Sequence, residues 1–211
     1  MRTRARAIPR SVLALLTLAL AGAVAAPGAA AASPPEVAGW FAGASLGQSK
    51  ISGYSVGGPV DNLDDTDMAW MVGGGYTFMR NFAVALSWVD LGATEADGPA
   101  YGGFTDKLTA QGASFAAVGV LPVHERIGIT GLLGFFYWGQ DVHYTDPSGT
   151  YDYEDSGVDP TYGIGALFGL GPDNRIGIQV GWQRFMDVGD EDNSGHQNDR
   201  DYFSVGFGYR F

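Results

Sequence analysis

The sequence predicts an all-β protein, an eight-stranded antiparallel up-and-down transmembrane β-barrel. Three observations carry this expectation. The last segment alternates with a period of two, the connections alternate between short and long, and the N-terminal segment has the layout of an export signal. In Tyr202–Phe211, Phe203, Val205, Phe207, Tyr209 and Phe211 share one parity and are bulky and apolar. The other parity, Tyr202, Ser204, Gly206, Gly208 and Arg210, is mostly small or polar. A period of two is that of a strand with two unlike faces. Five bulky apolar residues on one face of a terminal strand suit lipid better than water.

The N-terminal segment opens with Arg2, Arg4, Arg6 and Arg10, continues with an apolar run from Val12 to Ala26, and ends in small residues from Gly28 to Ala32. This is the order of a secretory signal peptide. Ala30 and Ala32 occupy the small-residue positions, which places cleavage between Ala32 and Ser33. The apolar run is shorter than the roughly 20 residues a spanning helix needs. The expected division is a signal peptide over 1–32, a short lead-in over 33–38 and the barrel over 39–211. The chain has no cysteine, which excludes lipoprotein anchoring, disulfides and thiolate metal sites.

Glycines such as Gly73, Gly74, Gly75, Gly163 and Gly165 interrupt every later apolar stretch, so no further spanning helix is expected. Backbone groups in lipid must all be paired, which leaves a closed barrel. The strands expected in order are Gly39–Ser49, Met68–Phe78, Phe82–Gly92, Lys107–Leu121, Arg126–Gln140, Thr161–Leu170, Arg175–Val188 and Asp201–Phe211. Each is about ten residues or a little longer, the length of a tilted membrane strand. Lipid-facing parities are read as Trp70, Val72, Tyr76 and Phe78; Phe82, Val84, Leu86 and Trp88; Tyr162, Ile164, Ala166, Phe168 and Leu170; and Ile176, Ile178, Val180 and Trp182. Trp40, Phe78, Phe82, Trp88, Tyr162, Trp182 and Phe211 fall near strand ends, where two interfacial girdles would lie. Around Leu132–Trp138 both parities are apolar, and the faces stay unassigned.

Met79-Arg80-Asn81, Pro122-Val123-His124-Glu125 and Gly171-Pro172-Asp173-Asn174 read as tight turns. Lys50–Asp67, Ala93–Asp106, Asp141–Pro160 and Gly189–Arg200 read as long loops. Short turns at one end and long loops at the other describe an outer-membrane barrel with periplasmic turns and extracellular loops. Of the 23 acidic residues, 19 fall in or beside the long loops, which read as solvated and mobile. Loss of the four leader arginines leaves eight basic residues against 23 acidic ones. Such a balance argues against nucleic acid and against electrostatic docking on anionic surfaces.

Val72-Gly73-Gly74-Gly75-Tyr76-Thr77-Phe78, Arg80-Asn81-Phe82-Ala83-Val84, Leu86-Ser87-Trp88-Val89-Asp90-Leu91-Gly92 and the opening Gly39–Gly47 resemble the outer-membrane β-barrel family of the OmpA transmembrane type. The resemblance implies an integral protein of the bacterial outer membrane, in contact with its lipids, lipopolysaccharide included, and a monomer. It also implies that Phe203, Val205, Phe207, Tyr209 and Phe211 form the signal read by the barrel-assembly machinery, after escort by periplasmic chaperones. Two-domain members continue into a peptidoglycan-binding domain, whereas this sequence stops at its last strand, so no cell-wall anchoring is expected.

The luminal parity is mostly glycine, alanine and serine, with Thr77, Ser87, Gln179, Gln183, Ser204 and Arg210 as its polar members. Eight strands enclose a lumen just wide enough to fill with side chains. The glycines admit two readings: small water-filled cavities, or aromatic rings packed over bare backbone. The expected role is therefore structural or surface-interacting, without cofactor or catalysis. A narrow gated pore for small solutes and a lipid-directed enzyme are the alternatives. The enzyme reading needs a nucleophile, base and orienter within reach, whereas His124, His143 and His196 fall in different connections. Asp190, Asp192, Ser194, Gly195 and Asp201 match a calcium-loop spacing. However, Gln197 replaces the usual apolar residue, and the last ligand is Asp rather than Glu.

Overall fold

The computed structural model describes residues 38–52, 62–98, 103–171, 174–190 and 196–211. The expected signal peptide, its Ala32/Ser33 cleavage point and the lead-in up to residue 37 lie outside them. The strands are β1 (Gly39–Ser52), β2 (Asn62–Asp64), β3 (Thr66–Met79), β4 (Phe82–Gly98), β5 (Phe104–His124), β6 (Ile127–Asp146), β7 (Gly149–Leu170), β8 (Ile176–Asp190) and β9 (His196–Arg210). β2 is a three-residue ribbon paired only with Glu95–Asp97 of β4. The other eight form an antiparallel ring, closed because β1 pairs with both β3 and β9. At the seam, Phe211 N donates to Trp40 O at 2.9 Å. The eight-stranded up-and-down barrel expected from the sequence is the fold observed.

Burial follows the pleat. In β9, Phe203, Val205, Phe207 and Tyr209 are exposed, while Ser204, Gly206, Gly208 and Arg210 are partly buried on the other face. Leu46, Trp70, Phe82, Trp88, Phe115, Leu133, Phe135, Ile164 and Phe168 are likewise exposed. An apolar belt of this size in water would aggregate; in a bilayer it is the lipid face. Among the described residues no helix is long and apolar enough to cross a membrane.

β6, unassigned from sequence, resolves cleanly: Ile129, Leu133 and Phe135 face out, while Phe136, Trp138 and Gln140 face in. Both parities are apolar because an apolar layer crosses the lumen at this level. Val89, Leu91, Ala110, Phe136, Trp138, Phe185, Val188 and Tyr202 form it with Ala69, each 0–2% exposed. Below the layer, towards the short turns, glycine and large side chains pair across strands. Phe41 faces Gly75 in the β1–β3 register, and a Cβ on Gly75 would lie 2.5 Å from Phe41 Cζ. Of the two readings of the luminal glycines, packing over backbone is the one seen here.

The first tight turn is as expected, at Arg80-Asn81. β5, by contrast, runs on through Pro122, Val123 and His124 because that segment still pairs with β6, which leaves Glu125-Arg126 as the second turn. Pro172 and Asp173 of the third lie outside the described residues. Two of the turns are tied to their neighbours. Asn81 Nδ2 donates to Val120 O at 2.7 Å, and Asn174 Nδ2 donates to Glu125 O at 3.0 Å. Two of the long connections differ from expectation. Nearly all of Asp141–Pro160 is strand: β6 and β7 pair continuously up to Asp146↔Gly149, around Pro147 and Ser148. β4 and β5 likewise pair up to Gly98↔Phe104, well inside the loop read as Ala93–Asp106. Beyond the bilayer a strand need not alternate, so period two fades while backbone pairing continues. The acidic residues are accordingly not all solvated: Asp106, Asp155 and Asp201 are buried.

Two bulges shift the parity near this end. Gly92 adopts φ 71°, and the β4–β5 register slips between Asp90 and Ala93. Asp187 adopts φ 51°, and the β8–β9 register slips between Phe185 and Val188. An extra residue with positive φ at such a break is the mark of a β-bulge, which bends the strand away from its neighbour.

Candidate functional site

The strands rise to different heights. β7 pairs with β6 as far as Gly149, but with β8 only as far as Thr161↔Phe185. Among the described residues, the segment Gly149–Pro160 therefore carries a ladder on one side only. The direction of its backbone groups follows from one hydrogen bond: Gly169 N donates to Arg126 O at 2.7 Å. Backbone groups alternate sides along a strand, and the β6–β7 register has no break. Odd-numbered residues of β7 thus turn their N–H and C=O to β6, and even-numbered ones to β8.

Pro160 is the first even-numbered residue past Tyr162, and it has no N–H to give. On the facing strand the bulge at Asp187 begins at the same level. These two local features end the β7–β8 ladder. Above them, Thr150, Asp152, Glu154, Ser156 and Val158 direct their N–H and C=O at an open edge, and all five are exposed. Their side chains lie on the outer face. There Asp152 meets His143 of β6, with Nδ1 against Oδ1, and Glu154 stands directly opposite Asp141.

The inner face of the same extension is aromatic. Phe104 stacks on Tyr144 at 6.1 Å, and Tyr144 lies 6.4 Å from Tyr151. The ladder crosses β5, β6 and β7. Beside it an open hollow of about 540 Å³ is lined by Asp97, Phe104, Thr105, Thr145 and Asp146 among others. The Ser148 hydroxyl holds the Asp146 carboxyl below its ordinary range. On the outer face Lys107 lies 2.6 Å from Glu95, which holds the ammonium pKa above its ordinary value.

Below the edge, a second outward cluster marks the upper limit of the lipid belt. Arg184 Nε and Nη2 donate to Asp201 Oδ1 and Oδ2 at 2.8 and 2.6 Å, a bidentate pair. Trp182 Nε1 also donates to Asp201, at 2.9 Å, and Ser52 Oγ donates at 3.1 Å. Tyr162 meets Trp182 edge-on at 5.6 Å. This arrangement takes in the last position of the calcium-loop spacing. Asp201, its last ligand, is a buried residue of β9 engaged by three donor residues, and residues 191–195 lie outside the described residues. Among the described residues no group of acidic and histidine side chains is placed to hold a metal ion.

Of Thr77, Ser87, Gln179, Gln183, Ser204 and Arg210, the polar residues expected to face the lumen, four are partly buried. Only Gln183 among them is buried, and its Nε2 donates to Thr161 Oγ1 at 2.8 Å. Gln179 is exposed. Sequence reasoning missed Arg200 and Gln140 because both lay at the margin of stretches read as loops. Both are buried above the apolar layer, and Arg200 Nη1 lies 3.5 Å from Thr94 Oγ1. Their inward parity with Tyr202 and Trp138 was the available signal. His124 and His143 sit at opposite ends of the barrel, so the structure does not bring these two together.

Comparison with known proteins agrees with this architecture. The OmpA-like transmembrane domain family matches residues 35–211. No curated protein is significantly similar in sequence. Among solved structures, Neisserial surface protein A is 16% identical with a TM-score of 0.56, covering 83% of this chain and 100% of that one. OprG of Pseudomonas aeruginosa is 13% identical with a TM-score of 0.52, covering 82% and 95%. Ail, the attachment invasion locus protein of Yersinia pestis, is 17% identical with a TM-score of 0.50, covering 82% and 99%. A closed ring of eight two-faced strands, an apolar outer belt and a family match over the whole of that ring lead to one conclusion: the chain belongs to the OmpA-like transmembrane domain family and is an integral β-barrel of the bacterial outer membrane.

Proposed function

We propose that this barrel is a surface-interaction protein, a membrane-anchored scaffold that presents the open edge of β7 to the outside of the cell. In this reading the short turns face the periplasm and the long-strand end faces the medium. The observation that carries it is the edge itself. Thr150–Val158 offers N–H and C=O groups in strand geometry, without a β8 ladder. Exposed edges recruit other chains by strand addition. The apolar layer in the lumen weighs against the narrow-pore alternative. The separation of His124 from His143 weighs against a lipid-directed enzyme. We also assign cleavage between Ala32 and Ser33, recognition of Phe203, Val205, Phe207, Tyr209 and Phe211 by the assembly machinery, contact of the belt with lipopolysaccharide, and a monomeric state.

The test is gain of adhesion. The full chain is expressed in a non-adherent Gram-negative strain, beside a variant carrying Ser156→Pro, and binding to immobilised serum and matrix proteins is compared. Adhesion by the wild type and its loss in the variant is the expected result. Adhesion no greater than that of the empty strain overturns the surface-interaction reading.

A further inference from the structure

The chemistry along the open edge names the class of partner, and this step rests on the surface-interaction reading above. We propose that the β7 edge takes an extended, basic polypeptide segment, paired antiparallel, with two cationic side chains two residues apart. The five edge residues set its pattern. On an incoming strand, the residues opposite Val158, Ser156, Glu154, Asp152 and Thr150 lie on the same outer face as those side chains. Opposite Val158, which is 59% exposed, an apolar or β-branched residue gains contact. Opposite Glu154 and Asp152, lysine or arginine gains charge pairing.

A second observation points the same way. Asp141 and Glu154 stand directly opposite each other across β6 and β7, both exposed. Like charges so placed repel. Neither carboxylate has a cationic partner among the ion pairs of the described residues. A cation beside Glu154 relieves that repulsion as well as adding its own attraction. Asp152 is engaged by His143 through Oδ1, which leaves Oδ2 for a second donor. Acidic side chains also guard the edge against pairing with a second copy of this chain, whose edge repels its like.

The experiment uses the refolded mature chain in zwitterionic micelles, with amide shifts of Thr150–Val158 followed by NMR. The probe is a peptide with valine at its second position, lysine at its sixth and eighth, and threonine elsewhere. Its controls are the glutamate counterpart and a lysine peptide N-methylated on the edge-facing amides. The lysine peptide is expected to shift the edge amides. The glutamate peptide, the N-methylated peptide, Ser156→Pro and Glu154→Lys are each expected to weaken binding about tenfold or more. Equal binding of the lysine and glutamate peptides overturns the proposal, as do shifts that map away from β7 or binding unaffected by Ser156→Pro. The Ser156 N–H points into the open edge, so proline there removes no native hydrogen bond of the ladder. A chain that confers edge-dependent adhesion yet ignores the lysine peptide refutes the ligand class alone. Failure of both experiments refutes the surface-interaction reading.

Discussion

Replacing Phe136 by alanine probes whether the lumen is a packed interior or a lined channel. Phe136 is fully buried on the inner face of β6, and its ring centroid lies 4.6 Å from that of Phe185 of β8, tilted by 55°. Truncating a fully buried phenylalanine costs about 3–5 kcal/mol, transfer and cavity terms together. The ring pair itself accounts for about 0.5–1.5 kcal/mol of that. Phe185→Ala removes the same pair. The double variant is therefore expected to lose less than the sum of the singles, by about that pair energy. Urea titration of protein refolded into lipid vesicles, followed by tryptophan emission, measures each loss. Planar-bilayer recording supplies a second readout: the double variant is expected to pass single-channel steps that the wild type lacks. A loss below about 1 kcal/mol for Phe136→Ala, or equal conductance in both proteins, would refute a close-packed luminal layer.

Three further outcomes test other parts of the structure. Leu133→Arg places a charge in the middle of the lipid belt and is expected to cost about 2–4 kcal/mol in the same titration, whereas a small effect would mean that this face does not meet hydrocarbon. Gly75→Ala sets a Cβ 2.0 Å from Val84 O and 2.5 Å from Phe41 Cζ. Its expected cost is about 1–3 kcal/mol, with Phe41→Leu restoring part of it, and no loss would show that Phe41 does not lie over that backbone. Asp201→Asn breaks the bidentate pair with Arg184 and is expected to cost about 1.5–3 kcal/mol, while an unchanged urea midpoint would remove this pair from the stabilising set.

What the sequence made legible follows from where water and lipid meet the strands. β9 and the membrane half of β3 have one face in lipid and one over small residues, so period two survives and their faces can be read. In β6 the inner face carries Phe136 and Trp138 while the outer carries Leu133 and Phe135, so parity holds no contrast. Above the bilayer neither face demands apolar residues, and Thr150–Val158 reads as a loop although it is strand. Pro160 reads as the end of a loop, as proline in a strand usually argues. It is tolerated here because its missing N–H faces β8 at the place where that ladder stops. Bulges at Gly92 and Asp187 moved Thr94 and Val188 inward by one residue, which no alternation count anticipates.

The seam between β1 and β9 sets the order of events in assembly. Phe41 pairs with Arg210, so the first strand made cannot complete its hydrogen bonds until the last has been delivered. A partial barrel in hydrocarbon would leave two rows of unsatisfied backbone groups, each costing several kcal/mol. No half of this chain is therefore a stable membrane object by itself. Its edges must be shielded by another protein or kept out of the bilayer until the ring can close in one step.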